Sequence, residues 1–262
     1  MTRDNFKRSM LAAALIAAGV LFATTSAQAT IVDLIHGDSG TINSALFDFT
    51  TAQPTDTGNI QPFLRVQTNG VEQGDNTSGA PVPFDGKIDP WTHDLTLANL
   101  QATTVMVGNT SYFKLLLDIN QSNSHSLLSL DQLQFYTSPT GSQTTTNVSS
   151  IGALRYSFSP GDAVYLDASR NHGSGSGDMF AYLPTSAFAG TSSSDFVYVY
   201  CHFGSTTYPS NGGFEGWSRA VAPIPEAGTF FPVIGLIVAV FSTYELRRRK
   251  IKQMAREKRL SR

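Results

Sequence analysis

The most constraining stretch of the chain is Ser111–Ile119: Phe113, Leu115, Leu117 and Ile119 fall on one side, Tyr112, Lys114 and Asp118 on the other. Successive side chains of an extended strand point to opposite faces, so this period of two reads as a half-buried β-strand. Phe196–Phe203 repeats it, with Val197, Val199, Cys201 and Phe203 alternating with Phe196, Tyr198, Tyr200 and His202. Further strands are predicted at Ser44–Thr50, Phe63–Gln67, Leu95–Leu100, Thr103–Val107, Gln132–Thr137, Leu154–Phe158 and Ala163–Asp167, and a short helix within Asp178–Phe188. Val71–Pro90 and Ser169–Gly177 read as surface loops. Turn clusters such as Gly74-Asp75-Asn76 and Asn211-Gly212-Gly213 separate the strands. The expectation is an all-β domain, an antiparallel β-sandwich of jelly-roll-like type.

The ends differ from this middle. A basic start is followed by the apolar run Leu11–Phe22 and by Ala27-Gln28-Ala29, the small-x-small pattern that a signal peptidase accepts. Residues 1–29 are therefore expected to be a signal peptide cut after Ala29, leaving an exported domain over 30–219. Residues 220–227 form a Pro-containing linker, 228–246 a transmembrane helix, and 247–262 a basic cytoplasmic tail. Seventeen residues from Gly228 to Tyr244 cover ~25 Å as a helix, within the usable range for a bilayer. Arg247, Arg248, Arg249 and Lys250 are a stop-transfer cluster that stays inside under the positive-inside rule.

Pro225 and Glu226, an apolar span and an arginine cluster at the C-terminus form a tripartite signal. It resembles the PEP-CTERM sorting domain of exopolysaccharide-producing Gram-negative bacteria. The resemblance implies an exosortase-like membrane transpeptidase that recognises Pro225-Glu226, removes the helix and passes the protein to the cell surface or matrix. Ala227 stands where the family has a second proline. A permanent single-pass anchor, with the domain outside the cell, is the alternative that the span and its charges equally describe. Glu72-Gln73-Gly74, Gly175-Ser176-Gly177-Asp178-Met179 and Asn211-Gly212-Gly213-Phe214-Glu215-Gly216-Trp217 also resemble exported domains that precede such signals. That likeness bears on class and location only.

Charge and cysteine content narrow the chemistry. Thr30–Ala222 holds 16 acidic and 6 basic residues, a net of −10, which disfavours phosphate backbones and so nucleic acid. The single cysteine, Cys201, excludes an internal disulfide and reads as a buried thiol. Gly37-Asp38-Ser39-Gly40 copies a serine-protease signature, but it lies too near the mature N-terminus for a triad to precede it, and it reads as a turn. No two of the five histidines stand at metal-ligand spacing.

Two binding chemistries stay open. Asp118-x-Asn120 opens like a calcium loop, and Asp131, or Asp167 with Asp178, could complete an oxygen cage for that hard cation. Trp91 and Trp217, with Tyr198 and Tyr200, could stack on sugars, although core packing is the commoner fate of such rings. No catalytic residue is assigned. The expected function is a non-enzymatic cell-surface or matrix protein associated with exopolysaccharide. A carbohydrate-binding module on a permanent membrane anchor is the alternative, and a secreted glycan hydrolase the third.

Overall fold

The alternating stretches form strands whose apolar sides meet in one core. The computed structural model describes residues 28–51, 61–171, 176–205, 207–220, 243–244 and 247–248. The expected signal peptide as far as Ala27, the sorting residues Pro225 and Glu226, the span (243 and 244 apart), and Arg249 with Lys250 lie outside the described residues. Ala29 is exposed, and Arg247 and Arg248 are helical and exposed. Among the described residues no helix is long and apolar enough to cross a membrane.

In chain order the strands are β1 (Ile31–Asp33), β2 (Ser39–Ile42), β3 (Ala45–Phe49), β4 (Pro62–Val66), β5 (Asn69–Gly70), β6 (Glu72–Asp75) and β7 (Leu95–Thr96). After helix α1 (Leu97–Gln101) follow β8 (Thr104–Val107), β9 (Thr110–Ile119), β10 (Leu127–Ser138), β11 (Ala153–Ser157) and β12 (Ala163–Asp167). The last four are β13 (Met179–Pro184), β14 (Phe196–Phe203), β15 (Ser210–Asn211) and β16 (Glu215–Arg219). The domain is all-β. A first sheet runs β1-β12-β10-β14-β6, with β11 and β7 alongside, and a second runs β2-β3-β13-β9-β16-β4, with β8 beside β9. Pairing is antiparallel except for β1 on β12, which is parallel. Four antiparallel pairs nest in sequence: β4 with β16, β6 with β14, β9 with β13, and β10 with β12. Successive pairs alternate between the sheets, so the connections 67–71, 120–126, 168–178 and 204–214 all cross from sheet to sheet at one end, here called the crossing end.

Phe135, Val199, Cys201 and Phe203 of the first sheet share a single buried cluster with Phe47, Leu115, Leu117 and Trp217 of the second. Cys201 is a buried free thiol, as expected. Three expectations need correction. Leu95–Leu100 is a strand only at Leu95–Thr96; Thr96 Oγ1 accepts from Asn99 N at 3.3 Å and Asn99 Oδ1 accepts from Thr96 N at 2.9 Å. That reciprocal cap starts α1. The short helix expected within Asp178–Phe188 is present only as a 3-10 helix over Thr185–Phe188, because Met179–Pro184 is strand β13, paired with β9 and, over Met179–Tyr182, with β3. The loop expected over Val71–Pro90 contains β6, paired to β14.

Candidate functional site

On the outer side of the second sheet, Gly216 of β16 pairs with Arg65 of β4 on one side and Asp118 of β9 on the other. Gly216 has no side chain to separate the guanidinium from the carboxylate, and Gly216 and Asp118 are themselves buried. The Arg65 guanidinium lies 4.0 Å from the Trp91 ring centroid and 4.1 Å from that of Phe214, close enough for cation–π attraction to both. The segment before β7 holds Trp91 there by running along β4. Lys87 N donates to Arg65 O at 2.8 Å, Arg65 N to Thr92 Oγ1 at 3.2 Å, and His93 N to Phe63 O at 2.9 Å. Trp91 is 41% exposed. The result is a shelf with an aromatic platform, a cation and an anion, all backed by paired strands.

The other rings expected to stack on sugars do not reach the surface. Trp217 is fully buried, because it shares the inward parity of Leu64 and Leu117, its partners across the sheet. Tyr198 and Tyr200 are buried on the first sheet. Trp217 is thus a core residue with no face to offer a ligand.

The proposed calcium ligands separate into two places. Asp118 and Asp167 each act electrostatically on Asp178 at the crossing end, and Asn120 Nδ2 donates to Asp118 Oδ1 at 3.3 Å. Asp178 is buried; its Oδ2 accepts from Ile119 N at 2.7 Å, and its Oδ1 has no hydrogen-bond partner. Burial, reinforced by Asp118 and Asp167, pushes its carboxyl up to about 8. Burial acts upward on Asp167 too, but hydrogen bonds from Ser169 and Ser126 outweigh it and lower the carboxyl. Asp131 does not join them. It sits at a bulge of β10, where its Oδ2 accepts from Ser205 N at 2.7 Å and Ser129 Oγ at 3.2 Å, beside a groove of about 350 Å³ that Gln132, Gln134 and Asp162 also line. Among the described residues no group of three or more His, Cys, Asp or Glu is spaced to hold a metal ion.

A second acidic feature was not singled out in the sequence. Glu72 of β6 and Glu215 of β16 point into the core shared by the two sheets, one from each sheet, and both are fully buried. Glu72 Oε2 accepts from Thr68 N at 3.0 Å, and Glu215 Oε1 accepts from Gln121 Nε2. The remaining oxygens, Glu72 Oε1 and Glu215 Oε2, have no other donor, and the two carboxyls hydrogen-bond to each other. One proton held between the two carboxyls relieves their mutual repulsion. Burial drives both carboxyls up, and Glu72 adds to the effect on Glu215. Parity carries the one sequence signal for this pair: Glu215 and Trp217 share a strand face, so a buried Trp implies an inward Glu.

No family model matches the chain, and no curated protein or solved structure matches it.

Proposed function

We propose that the protein is an exported, non-enzymatic surface or matrix protein whose jelly-roll-like sandwich holds polysaccharide on the shelf of Trp91, Arg65 and Asp118. The observation that carries this reading is the Arg65 guanidinium against two rings, one of them the exposed Trp91, with the Asp118 carboxylate two strands away. An exposed ring covers the apolar face of a sugar, while guanidinium and carboxylate groups bond its hydroxyls. The nested pairing of β4 to β16 around β10 and β12 supports the jelly-roll-like description. Export rests on the N-terminal hydrophobic run and the Ala27/Ala29 pattern, and sorting on Pro225-Glu226 with the span and Arg247–Lys250.

The test is affinity electrophoresis through gels containing the host's exopolysaccharide. The protein is expected to be retarded, and Trp91→Ala to migrate as it does without polysaccharide. Equal retardation of the two would remove the shelf from the reading. Sorting is tested by intact mass of the protein from the native envelope: Thr30 to near Glu226 is expected, whereas Thr30 to Arg262 would replace sortase processing with a permanent anchor.

Calcium is the cation we propose for the corner of Asp118, Asn120 and Asp178, supported by the buried, unpartnered Asp178 Oδ1. Binding there displaces the proton that burial otherwise keeps on Asp178 near neutral pH. Calcium is expected to raise the thermal midpoint, chelation to lower it, and Asp178→Asn to abolish the difference. A midpoint unmoved by calcium or chelator would refute the site.

A further inference from the structure

The chain leaves the domain at a place that says which end of the sandwich faces the anchor. β16 and β8 lie on the same side of β9, end to end: Ala220 N donates to Lys114 O at 3.2 Å, and Lys114 N donates to Thr103 O at 3.2 Å. The last described residues of the domain therefore abut the base of the β8–β9 hairpin, opposite the crossing end. From Thr103 the hairpin runs four residues to Val107, or ~13 Å at ~3.3 Å per residue. From Ala220 to Gly228, where the apolar run begins, are eight residues, which span at most ~29 Å. The tip lies within reach of the surface that such a run enters.

The hairpin suits that surface. No charged residue occurs from Leu95 to Phe113. Met106 is 63% and Val107 39% exposed, Val105 is half-buried, and the turn closes through Gly108 at φ +59°. An exposed apolar edge strand is a hazard unless something covers it. The exposed Arg219 stands at the hairpin base, where a cation meets anionic headgroups, whereas Lys114 Nζ is turned onto the Phe180 ring, 3.5 Å from its centroid, and toward Asp48. The buried and clustered carboxylates Glu72, Glu215, Asp118, Asp167 and Asp178 are at the far, crossing end. Among acidic residues, Asp94 and Asp195 are on the first sheet's side, next to β7 and β14.

We infer that the tip of the β8–β9 hairpin, Met106 and Val107, docks into the interface of the bilayer that holds the C-terminal anchor. The inference rests on the anchor proposed above. Docking stands the domain on its hairpin end and holds Pro225-Glu226 at the membrane surface before processing, with the Trp91 shelf on the outer side of the second sheet left free.

The test uses the full chain in vesicles of phosphatidylethanolamine and phosphatidylglycerol, with Met106→Cys labelled by NBD. Cys201 is fully buried and stays unlabelled. Val71→Cys, at an exposed apolar residue of the crossing end, is the control. At position 106 a blue-shifted emission is expected, quenched by doxyl lipid and shielded from iodide, while position 71 stays open to iodide. Carbonate extraction reads the anchor separately. Release by carbonate overturns the anchor and the docking with it; retention with position 106 as iodide-accessible as position 71 overturns docking alone. A blue shift that grows with protein concentration but ignores doxyl lipid assigns the hairpin to a second copy of the chain and overturns docking too.

Discussion

Stability is expected to fall as pH rises from about 5 to about 9, contrary to the acid lability of proteins whose carboxylates are ion-paired. Glu72, Glu215, Asp75 and Asp178 are all buried, and burial raises each of them, Asp75 to about 7 and Asp178 to about 8. A carboxyl raised in the fold stabilises fully below its unfolded value, near the ordinary carboxylate range. That contribution is lost as pH climbs through the folded value, because the native state must then hold a charge or open. Each pH unit over which one such proton is bound in the fold but not in the unfolded chain is worth about 1.4 kcal/mol. Several groups acting together make a loss of a few kcal/mol the expected scale, which is large against a total of roughly 5–15 kcal/mol. Urea midpoints across the range read it. Self-repulsion within the acidic body changes little once ordinary carboxylates are ionised, so the buried groups dominate the slope. Glu215→Gln keeps the shape without the ionisation and is expected to flatten the curve, most visibly above neutral pH. A midpoint that is level or rises toward pH 9 would be incompatible with neutral buried carboxyls.

What the sequence reveals of this molecule follows from how local each signal is. β9 and β14 are legible because alternation is written in consecutive residues and both strands have one buried face. Leu95–Leu100 is ambiguous: Leu95 and Leu97 fit period two, Leu97 and Leu100 fit a helix, and the Thr96–Asn99 cap decides. β6, Glu72-Gln73-Gly74-Asp75, has no apolar residue at all and is a strand only because β14 supplies the other half of its ladder. The shelf is less legible still. Arg65, Trp91, Asp118 and Phe214 come from four separate stretches, and nesting β4, β9 and β16 side by side is what joins them. Asp118, Asp167 and Asp178 could be picked out as carboxylates, but only the crossing connections bring them to one end, and the same topology sends Asp131 elsewhere.

The two tryptophans separate binding from folding. Trp217 stands in the middle of the second sheet, paired to Leu64 and Leu117 and fully buried. Trp217→Ala removes a large ring from a close-packed core whose flanking strands cannot collapse inward without breaking both ladders. Such truncations cost about 3–5 kcal/mol, so the variant is expected to melt far below the native chain or to fail to fold near neutral pH. Its Nε1 meets only the Cys201 sulfur, a weak acceptor, so Trp217→Phe gives up little bonding and is expected to recover most of the stability. Trp91 is held at the surface against Arg65 by a contact worth about 0.5–1 kcal/mol. Trp91→Ala is therefore expected to melt within a few degrees of the native chain while losing retardation by polysaccharide. Thermal melts and affinity gels on the three variants separate the two roles. A Trp91→Ala protein that unfolds like Trp217→Ala would make Trp91 part of the fold's support, and its loss of binding would then say nothing about a sugar platform. A stable Trp217→Ala protein would mean that the two sheets do not depend on the ring between them, against the burial of every atom of that side chain.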